Sequence, residues 1–199
     1  KGARYSYLLV LVVGLPVFME ADSLLQLWLG SVPEGAVLFT RLTLIGILAD
    51  LLGNSMAVLE MATGDIKRYY LIIGPVSMLV FLMSWLLYAM GFPAYVSYIV
   101  YAVIYAALVA IKLAILHSQL GFPTGSYVRD VILKVLPVTF LSAAVCILPY
   151  LLIGTGVLRT IVCILTAVVA VTAFSWCFAM TGSEREFIIS KIDFRKWQR

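Results

Sequence analysis

One apolar segment, AVLFTRLTLIGILADLLGNSMAVLEMA at 36–62, constrains the fold more than any other part of the chain. At ~1.5 Å of rise per residue, a helix of this length crosses a bilayer. The segment nevertheless contains Arg41, Asp50, Asn54 and Glu60. A charge at the bilayer centre costs at least ~2.5 to 3.5 kcal/mol, so charged side chains in spans face a bundle interior or a water-filled cavity. The segment therefore predicts that other helices surround it.

The composition places the whole chain among membrane proteins. Of its 199 residues, 63% are hydrophobic and 12% are charged, and the mean hydropathy is +1.08, which excludes an ordinary soluble domain. We predict an all-α, polytopic membrane helix bundle of six transmembrane helices over residues 1–182. The six predicted spans are 5–19, 36–64, 70–90, 94–111, 135–153 and 160–180, with a loop and an interfacial segment at 118–134. Because the first span is short, we expect further N-terminal helices of the same chain to precede it.

The last part of the chain, residues 183–199, is predicted to form a cytoplasmic amphipathic basic helix on the membrane surface. The sequence SERE at 183–186 predicts a capping box at its start. All basic residues except Arg41 and Arg159 fall on one side of the predicted topology, so the positive-inside rule places both ends in the cytoplasm. The net charge of +4 then indicates contact with anionic membrane lipids and gives no support to nucleic-acid binding.

The sequence contains no pattern typical of a metal site, a cofactor site or an activated nucleophile. Its three cysteines lie inside predicted spans without metal-ligand spacing, and its single histidine, His117, stands alone at a helix end. An enzyme would have to combine His117 with Asp50 or Glu60. His117 and Asp50 differ in depth by about 15 Å, so they cannot share a proton. We therefore predict no metal, no cofactor and no enzymatic activity.

The fourth predicted span carries a polar stripe formed by Tyr98, Tyr101, Tyr105 and Lys112, which lie within about 60° of one another around the helix. This stripe could line a hydrated path, in which phenol rings stack on sugars and the ammonium group meets a phosphate. The alternative is an aromatic belt at the membrane interface together with a snorkelling lysine. An adjacent stripe of small residues predicts a close-packing face. Its members are Ala102, Ala106, Ala110 and Ala114.

In the second predicted span, Asp50 and Asn54 lie one turn apart on a shared face, whereas Arg41 points to the opposite side. A direct pair between Arg41 and Asp50 is therefore excluded, and each needs a partner on another helix, in water or in a ligand. Arg41 lies close enough to the outer end to snorkel. Asp50 is deeper and has no such escape, so Asp50, with Asn54, is the candidate for binding a coupling ion.

Several motifs resemble those of bacterial polysaccharide-repeat-unit flippases, which belong to the multidrug, oligosaccharidyl-lipid and polysaccharide exporter superfamily. The resemblance covers nearly the whole chain, although Asp50, Glu60 and Asp65 depart from the family pattern. The motifs are LQLWLG at 25–30, VPE at 32–34, FTRL at 39–42, ATGDIKRY at 62–69, Gly121-Phe122-Pro123 with Tyr127, and Glu184-Arg185.

The resemblance implies a transporter of about 12 to 14 helices in two lobes that open alternately to each side of the bacterial cytoplasmic membrane, with this chain as its last six. It implies as substrate a polyprenyl-pyrophosphate-linked oligosaccharide, which is moved to the outer leaflet. Arg41 and Lys112 are then the candidates for phosphate or sugar contact, and Tyr101 and Tyr105 for stacking. Other exporters of the superfamily, which carry drugs or lipid headgroups, are the alternative. A glycolipid-modifying enzyme and a purely structural membrane subunit are further alternatives.

Overall fold

The computed structural model describes residues 2–63, 66–154 and 156–186. Within these ranges the chain is an all-α bundle without strands, and six helical segments are long and apolar enough to cross a membrane, which confirms the predicted fold class. The helices are α1 (Gly2–Met19), α2 (Ala21–Leu29), α3 (Ala36–Thr63), α4 (Ile66–Ala89), α5 (Val96–Leu120), α6 (Thr124–Tyr127), α7 (Leu133–Leu152) and α8 (Val157–Phe174). A π-helical turn, Val128–Ile132, joins α6 to α7, and a second, Ser175–Ala179, extends α8.

The loop predicted within 118–134 is shorter than expected, because only residues 121–123 are non-helical. The interfacial position of the helical residues that follow stays a prediction. Helix α5 continues to Leu120 and ends where Gly121 adopts a left-handed conformation and donates its N–H to the carbonyl of His117. Pro123 then precedes α6, and its carbonyl accepts a hydrogen bond from the N–H of Tyr127. Only three residues therefore separate α5 from a continuous helical segment that ends at Leu152.

The bundle consists of two groups of helices that meet at α1 and α3. In the first group, α1, α7 and α8 pack around a core of buried aliphatic side chains. In the second group, α5 lies between α3 and α4, and α4 makes little contact with α3. Gly14 of α1 faces Leu44 of α3, whose Cδ2 atom would lie 3.7 Å from an added Cβ. The first core contains Tyr7, Leu8, Leu11, Leu15, Val135, Val138, Cys146, Ala167, Val171 and Ala179.

The described chain ends in a short helical turn over 182–186 that is held against α1. The N–H of Thr181 donates to Glu184 Oε2 over 2.9 Å, so the capping box is formed by Thr181 and Glu184. The predicted box that begins at Ser183 is therefore wrong by two positions. Most of the predicted C-terminal amphipathic helix, residues 187–199, lies outside the described residues.

A buried ion pair joins this last turn to the beginning of α1. The Arg4 guanidinium donates to both carboxylate oxygens of Glu184 over 2.5 Å, and the two residues are 3% and 8% exposed. Burial alone would raise the pKa of Glu184, but hydrogen bonds from Thr181 and the charge of Arg4 lower that pKa from 4.5 to about 2. The pair therefore stabilises the fold fully above the unfolded-state pKa.

We expect this pair to make the bundle less stable as the pH falls from about 4.5 towards 2, with a loss on the order of 2 kcal/mol, because the carboxylate that binds Arg4 becomes protonated. The check is the midpoint of thermal unfolding as a function of pH, followed by circular dichroism. Glu184→Gln should be less stable at neutral pH and should show a shallower acid dependence. Glu186→Gln, at an exposed position in the same turn, is the control. An acid dependence unchanged in Glu184→Gln would contradict the assignment.

Candidate functional site

The candidate site lies where α3 and α5 run parallel and close together. Two glycines of α3, two helical turns apart on one face, receive side chains of α5. A Cβ added to Gly46 would lie 2.3 Å from two ring carbons of Tyr101, and one added to Gly53 would lie 3.1 Å from Lys112 Nζ. Gly46 and Gly53 thus leave the space that Tyr101 and Lys112 occupy, and we call these two positions the glycine seats. Sequence analysis selected Tyr101 and Lys112 for a substrate path. The two glycines are visible in the sequence, but the sequence does not show which helix packs against them.

Lys112 in its seat forms an ion pair with Asp50 of α3. Lys112 Nζ lies 3.8 Å from Asp50 Oδ1, and the two side chains are 9% and 38% exposed. Asp50 therefore has its partner on another helix, which is one of the three kinds of partner left open by the sequence. Lys112 is enclosed by protein instead of snorkelling at the edge of the bundle. The pair is asymmetric: the ammonium is buried, whereas the carboxylate can still be reached from outside. The role of Asp50 in ion coupling stays a prediction.

Tyr101, which lies against Gly46 one turn before Asp50, and its neighbour Tyr105 line a cleft between α5 and α4. Their ring centroids are 4.3 Å apart. The cleft has a volume of about 440 Å³ and contains no ionised side chain in its lining. Besides the two tyrosines it is lined by Ser77, Val80, Phe81, Ser84 and Ser97. Hydroxyl groups and aromatic rings without charge suit a neutral, polyhydroxylated group.

The predicted close-packing stripe of alanines on α5 is wrong, because Ala106, Ala110 and Ala114 are exposed. The close approach of α5 to α3 instead uses the glycine seats on α3. A stripe of small residues shows that two helices could approach closely. It does not show which side of the helix has a neighbour.

Arg41 and Asn54, the remaining predicted site residues, do not join the ion pair. Arg41 donates from Nε to the carbonyl oxygen of Phe18 over 3.0 Å and from Nη2 to that of Met19 over 3.4 Å. These carbonyls belong to the last turn of α1, where a cation also complements the helix dipole. Asn54 is exposed on α3. In this conformation the structure therefore brings together Asp50, Lys112, Tyr101 and Tyr105, and uses Arg41 to hold the end of α1.

The glycine seats lead to a prediction about stability. Gly46→Ala should destabilise the bundle by about 1–3 kcal/mol, because the new methyl group overlaps the Tyr101 ring and forces α3 and α5 apart. The measurement is the free energy of unfolding in a detergent denaturation titration. Gly74→Ala in α4 is the matched control, since nothing lies within 4 Å of its added Cβ and alanine favours the helix. Truncating Tyr101 to alanine should rescue Gly46→Ala, and a Gly46→Ala protein as stable as Gly74→Ala would contradict the geometry.

Sequence analysis missed a second buried ion pair, which ties the end of α1 to the start of α8. Arg159 Nε lies 2.9 Å from Glu20 Oε1, and Arg159 Nη2 donates to Glu20 Oε2 over 3.0 Å. Ser23 and Thr160 donate their hydroxyls to the same Oε2 atom over 2.8 and 3.3 Å. The Arg159 guanidinium also lies over the Tyr150 ring, 4.7 Å from its centroid. Glu20 itself is fully enclosed, with 0% of its surface exposed.

This polar cluster keeps Glu20 ionised although the residue is buried. Burial alone would raise the pKa of the Glu20 carboxyl, but hydrogen bonds from Ser23 and Arg159 outweigh it and hold the pKa below its usual range. A signal for the pair was available in the sequence. Arg159 is the basic loop residue that lies on the opposite side of the predicted topology from the other basic residues of loops and ends. Glu20 ends another span on the same side as Arg159. An unexpected cation opposite an acidic residue indicates a buried pair.

The described residues contain no cluster of metal-ligating side chains. Within 2–63, 66–154 and 156–186, no group of three or more His, Cys, Asp and Glu side chains is arranged to hold a metal ion. His117 is exposed, and its Nδ1 atom lies 2.9 Å from the carbonyl oxygen of Phe122. Asp50 is paired with Lys112. The enzymatic alternative therefore gains no support from a contact between these groups.

No family model, curated protein or solved structure gives a significant match to this chain. Its function must therefore be inferred from its own motifs and from the geometry of its side chains.

Proposed function

We propose that this chain forms part of a membrane flippase that carries a polyprenyl-pyrophosphate-linked oligosaccharide across the bacterial cytoplasmic membrane, for the synthesis of surface polysaccharide. One observation carries the proposal: a buried lysine, Lys112, is paired with a partly open carboxylate, Asp50, within an apolar bundle and beside a hydroxyl-lined cleft. Ionisable groups inside membrane spans typically mark a substrate or ion pathway. The motifs quoted from 25–30 to 184–185 support the same class of transporter.

The chemistry of the site matches the demands of such a substrate. A sugar headgroup cannot cross hydrocarbon without hydrogen-bonding partners, and the cleft offers serine and tyrosine hydroxyls together with three aromatic rings. The pyrophosphate requires a cation, which Lys112 supplies once its hold on Asp50 is loosened. Protonation of Asp50, or binding of a cation to it, releases the ammonium for the phosphate. Ion binding and substrate binding are thereby coupled through one salt bridge.

The proposed orientation places both ends of the chain in the cytoplasm, so that α3 and α5 both run from the outer to the inner leaflet. Arg41 then lies near the outer end of α3, where it holds the last turn of α1. A movement of that turn would expose the Arg41 guanidinium to a phosphate leaving the site. Preceding helices of the same protein would supply the second lobe.

The test is translocation in proteoliposomes that contain the purified protein and a polyprenyl-pyrophosphate oligosaccharide with a terminal fluorescent sugar. A membrane-impermeant quencher reports the fraction of labelled headgroups in the outer leaflet. We expect quenching beyond the initial half to rise with the amount of active protein. Vesicles with the protein but a fluorescent phosphatidylcholine in place of the substrate are the control. Headgroup movement no faster than in protein-free vesicles would reject the proposal.

A second candidate function is the export of amphiphilic organic cations. The partly exposed Asp50 carboxylate and the aromatic lining of the cleft also suit a flat, positively charged compound. Efflux of a fluorescent cationic dye from the same proteoliposomes distinguishes the two candidates. A drug exporter would move the dye and leave the oligosaccharide in place, whereas the proposed flippase would do the reverse.

A further inference from the structure

A groove separate from the candidate site lies between α2 and the beginning of α8. Its volume is about 680 Å³. Its lining combines polar and aliphatic side chains, and both helices contribute to each kind. The polar lining residues are Asp22, Ser23, Gln26 and Thr160, and the aliphatic ones include Leu24, Ile161 and Ile164. A groove lined by both kinds of side chain fits an amphiphile.

Two of the polar lining residues are held in place by the Glu20–Arg159 cluster behind them. Ser23 and Thr160 both line the groove and donate their hydroxyls to Glu20, and Thr160 is only 8% exposed. Their oxygens can still accept hydrogen bonds from a ligand. Since Glu20 and Arg159 neutralise each other, Asp22 is the one ionised side chain in the groove lining. Two hydroxyls of the lining are therefore firmly positioned, and the lining carries a net negative charge at Asp22.

Helix α2 has the character of a helix that lies at the membrane interface. It is a short amphipathic helix with one buried residue, Ala21, while Leu27 and Trp28 are 76% and 81% exposed. Exposed leucine and tryptophan on such a helix favour the boundary between headgroups and acyl chains. The groove between α2 and α8 is then at the depth of a lipid headgroup.

We propose that this groove binds a membrane phospholipid with a primary ammonium headgroup, of the phosphatidylethanolamine class. The ammonium donates hydrogen bonds to the Asp22 carboxylate and to the side-chain oxygen of Gln26. The phosphate lies beside the first turn of α8, where backbone N–H groups are free of helical partners. An acyl chain follows Leu24 and Ile161 towards the hydrocarbon. Charge complementarity favours this occupant, because Asp22 repels an anionic headgroup and its carboxylate accepts the N–H bonds that a choline group cannot donate.

The experiment is native mass spectrometry of the full chain, delipidated in detergent and titrated separately with dioleoyl phosphatidylethanolamine, phosphatidylcholine and phosphatidylglycerol. We expect the first phosphatidylethanolamine to bind about fivefold more tightly than the other two lipids, which is the upper range for one partly solvated ion pair. Asp22→Asn should abolish this preference. Asp22→Glu should retain most of it. Circular dichroism confirms that each variant has the helical content of the parent protein.

Glu34→Gln is the matched control, since it removes an exposed acidic residue outside the groove and should leave the preference unchanged. The proposal would be overturned if the parent protein and Asp22→Asn preferred phosphatidylethanolamine equally. It would also be overturned if phosphatidylglycerol bound most tightly, which would indicate a site for anionic lipid. It would also be overturned if Glu34→Gln reduced the preference as much as Asp22→Asn does. Lipid selectivity is measured without transport, so its failure would leave the flippase proposal untouched.

Discussion

Replacing Arg159 with leucine is expected to destabilise the folded bundle by about 3–5 kcal/mol, the range found when one partner of a buried ion pair is removed. Glu20 is 0% exposed, so its carboxylate would lose both its counter-charge and its main hydrogen-bond donor without gaining water. The hydroxyls of Ser23 and Thr160 alone cannot balance a full charge in this environment. A loss of this size is a large fraction of the stability of an ordinary domain.

The measurement is the free energy of unfolding in a detergent titration, together with the yield of folded protein. The double variant Glu20→Leu/Arg159→Leu removes the ion pair without leaving an unpaired charge, so it separates these two effects. It should recover most of the stability, since apolar replacement of a buried pair is often neutral. Arg129→Leu, at an exposed position, should change stability by less than about 0.5 kcal/mol. If Arg159→Leu were as harmless as Arg129→Leu, the Glu20 carboxylate would have to be solvated or protonated in the folded protein.

The positions of the membrane spans could be predicted from the sequence because each is a long apolar segment, and this signal is local. The segment at 36–62 is predicted as a helix for the same reason, and its charged residues predict the neighbours that it has in α1 and α5. The length of the break within 118–134 could not be predicted, because glycine and proline indicate a break without giving its length. Gly121 and Pro123 end one helix and start the next within three residues.

Pairings between distant residues could not be predicted in the same way. Arg159 and Glu20 are 139 positions apart, and Arg4 and Glu184 are 180 apart. Each charge appeared in the sequence as a residue at the end of a span, where solvent or a headgroup would satisfy it equally well. Only the packing of α1 against α8 brings the partners together and excludes water. For the candidate site, the residue types were predicted, but the glycine seats that position them depend on which face of α3 meets α5.

The two helix groups differ in the burial and the distances of the ion pairs that join their helices. Buried ion pairs join both ends of α1 to α8 or to the turn that follows it, with N–O distances of 2.5 to 3.0 Å. The contact between α3 and α5 contains one ion pair, at 3.8 Å, with a partly exposed carboxylate. The ion pair between α3 and α5 is therefore the more easily broken of these contacts, although the two helices pack closely at Gly46 and Gly53. The Asp50–Lys112 pair is the natural point at which an ion could control a conformational change that opens the site.

We accordingly expect Asp50→Asn and Lys112→Gln each to reduce oligosaccharide translocation by about tenfold or more, because each removes one half of the switch that presents a cation to the pyrophosphate. Both single variants should also lose stability, since Lys112 or Asp50 is left inside the bundle without its counter-charge. The double variant Asp50→Asn/Lys112→Gln distinguishes a structural role from a transport role. If the pair acts in transport, the double variant regains stability and remains inactive.

The matched control within the same protein is the ion pair between Asp130 and Lys134. Its charged atoms are 3.4 Å apart, and its side chains are more exposed than those of Asp50 and Lys112. Asp130→Asn/Lys134→Gln should change neither the translocation rate nor the stability appreciably, because exposed ion pairs contribute little. The measurement is the initial rate of quenching beyond the initial half in proteoliposomes, at several external pH values and cation concentrations. Recovery of the parent rate in Asp50→Asn/Lys112→Gln would show that the pair only supports the fold, and the coupling ion would then have to bind elsewhere.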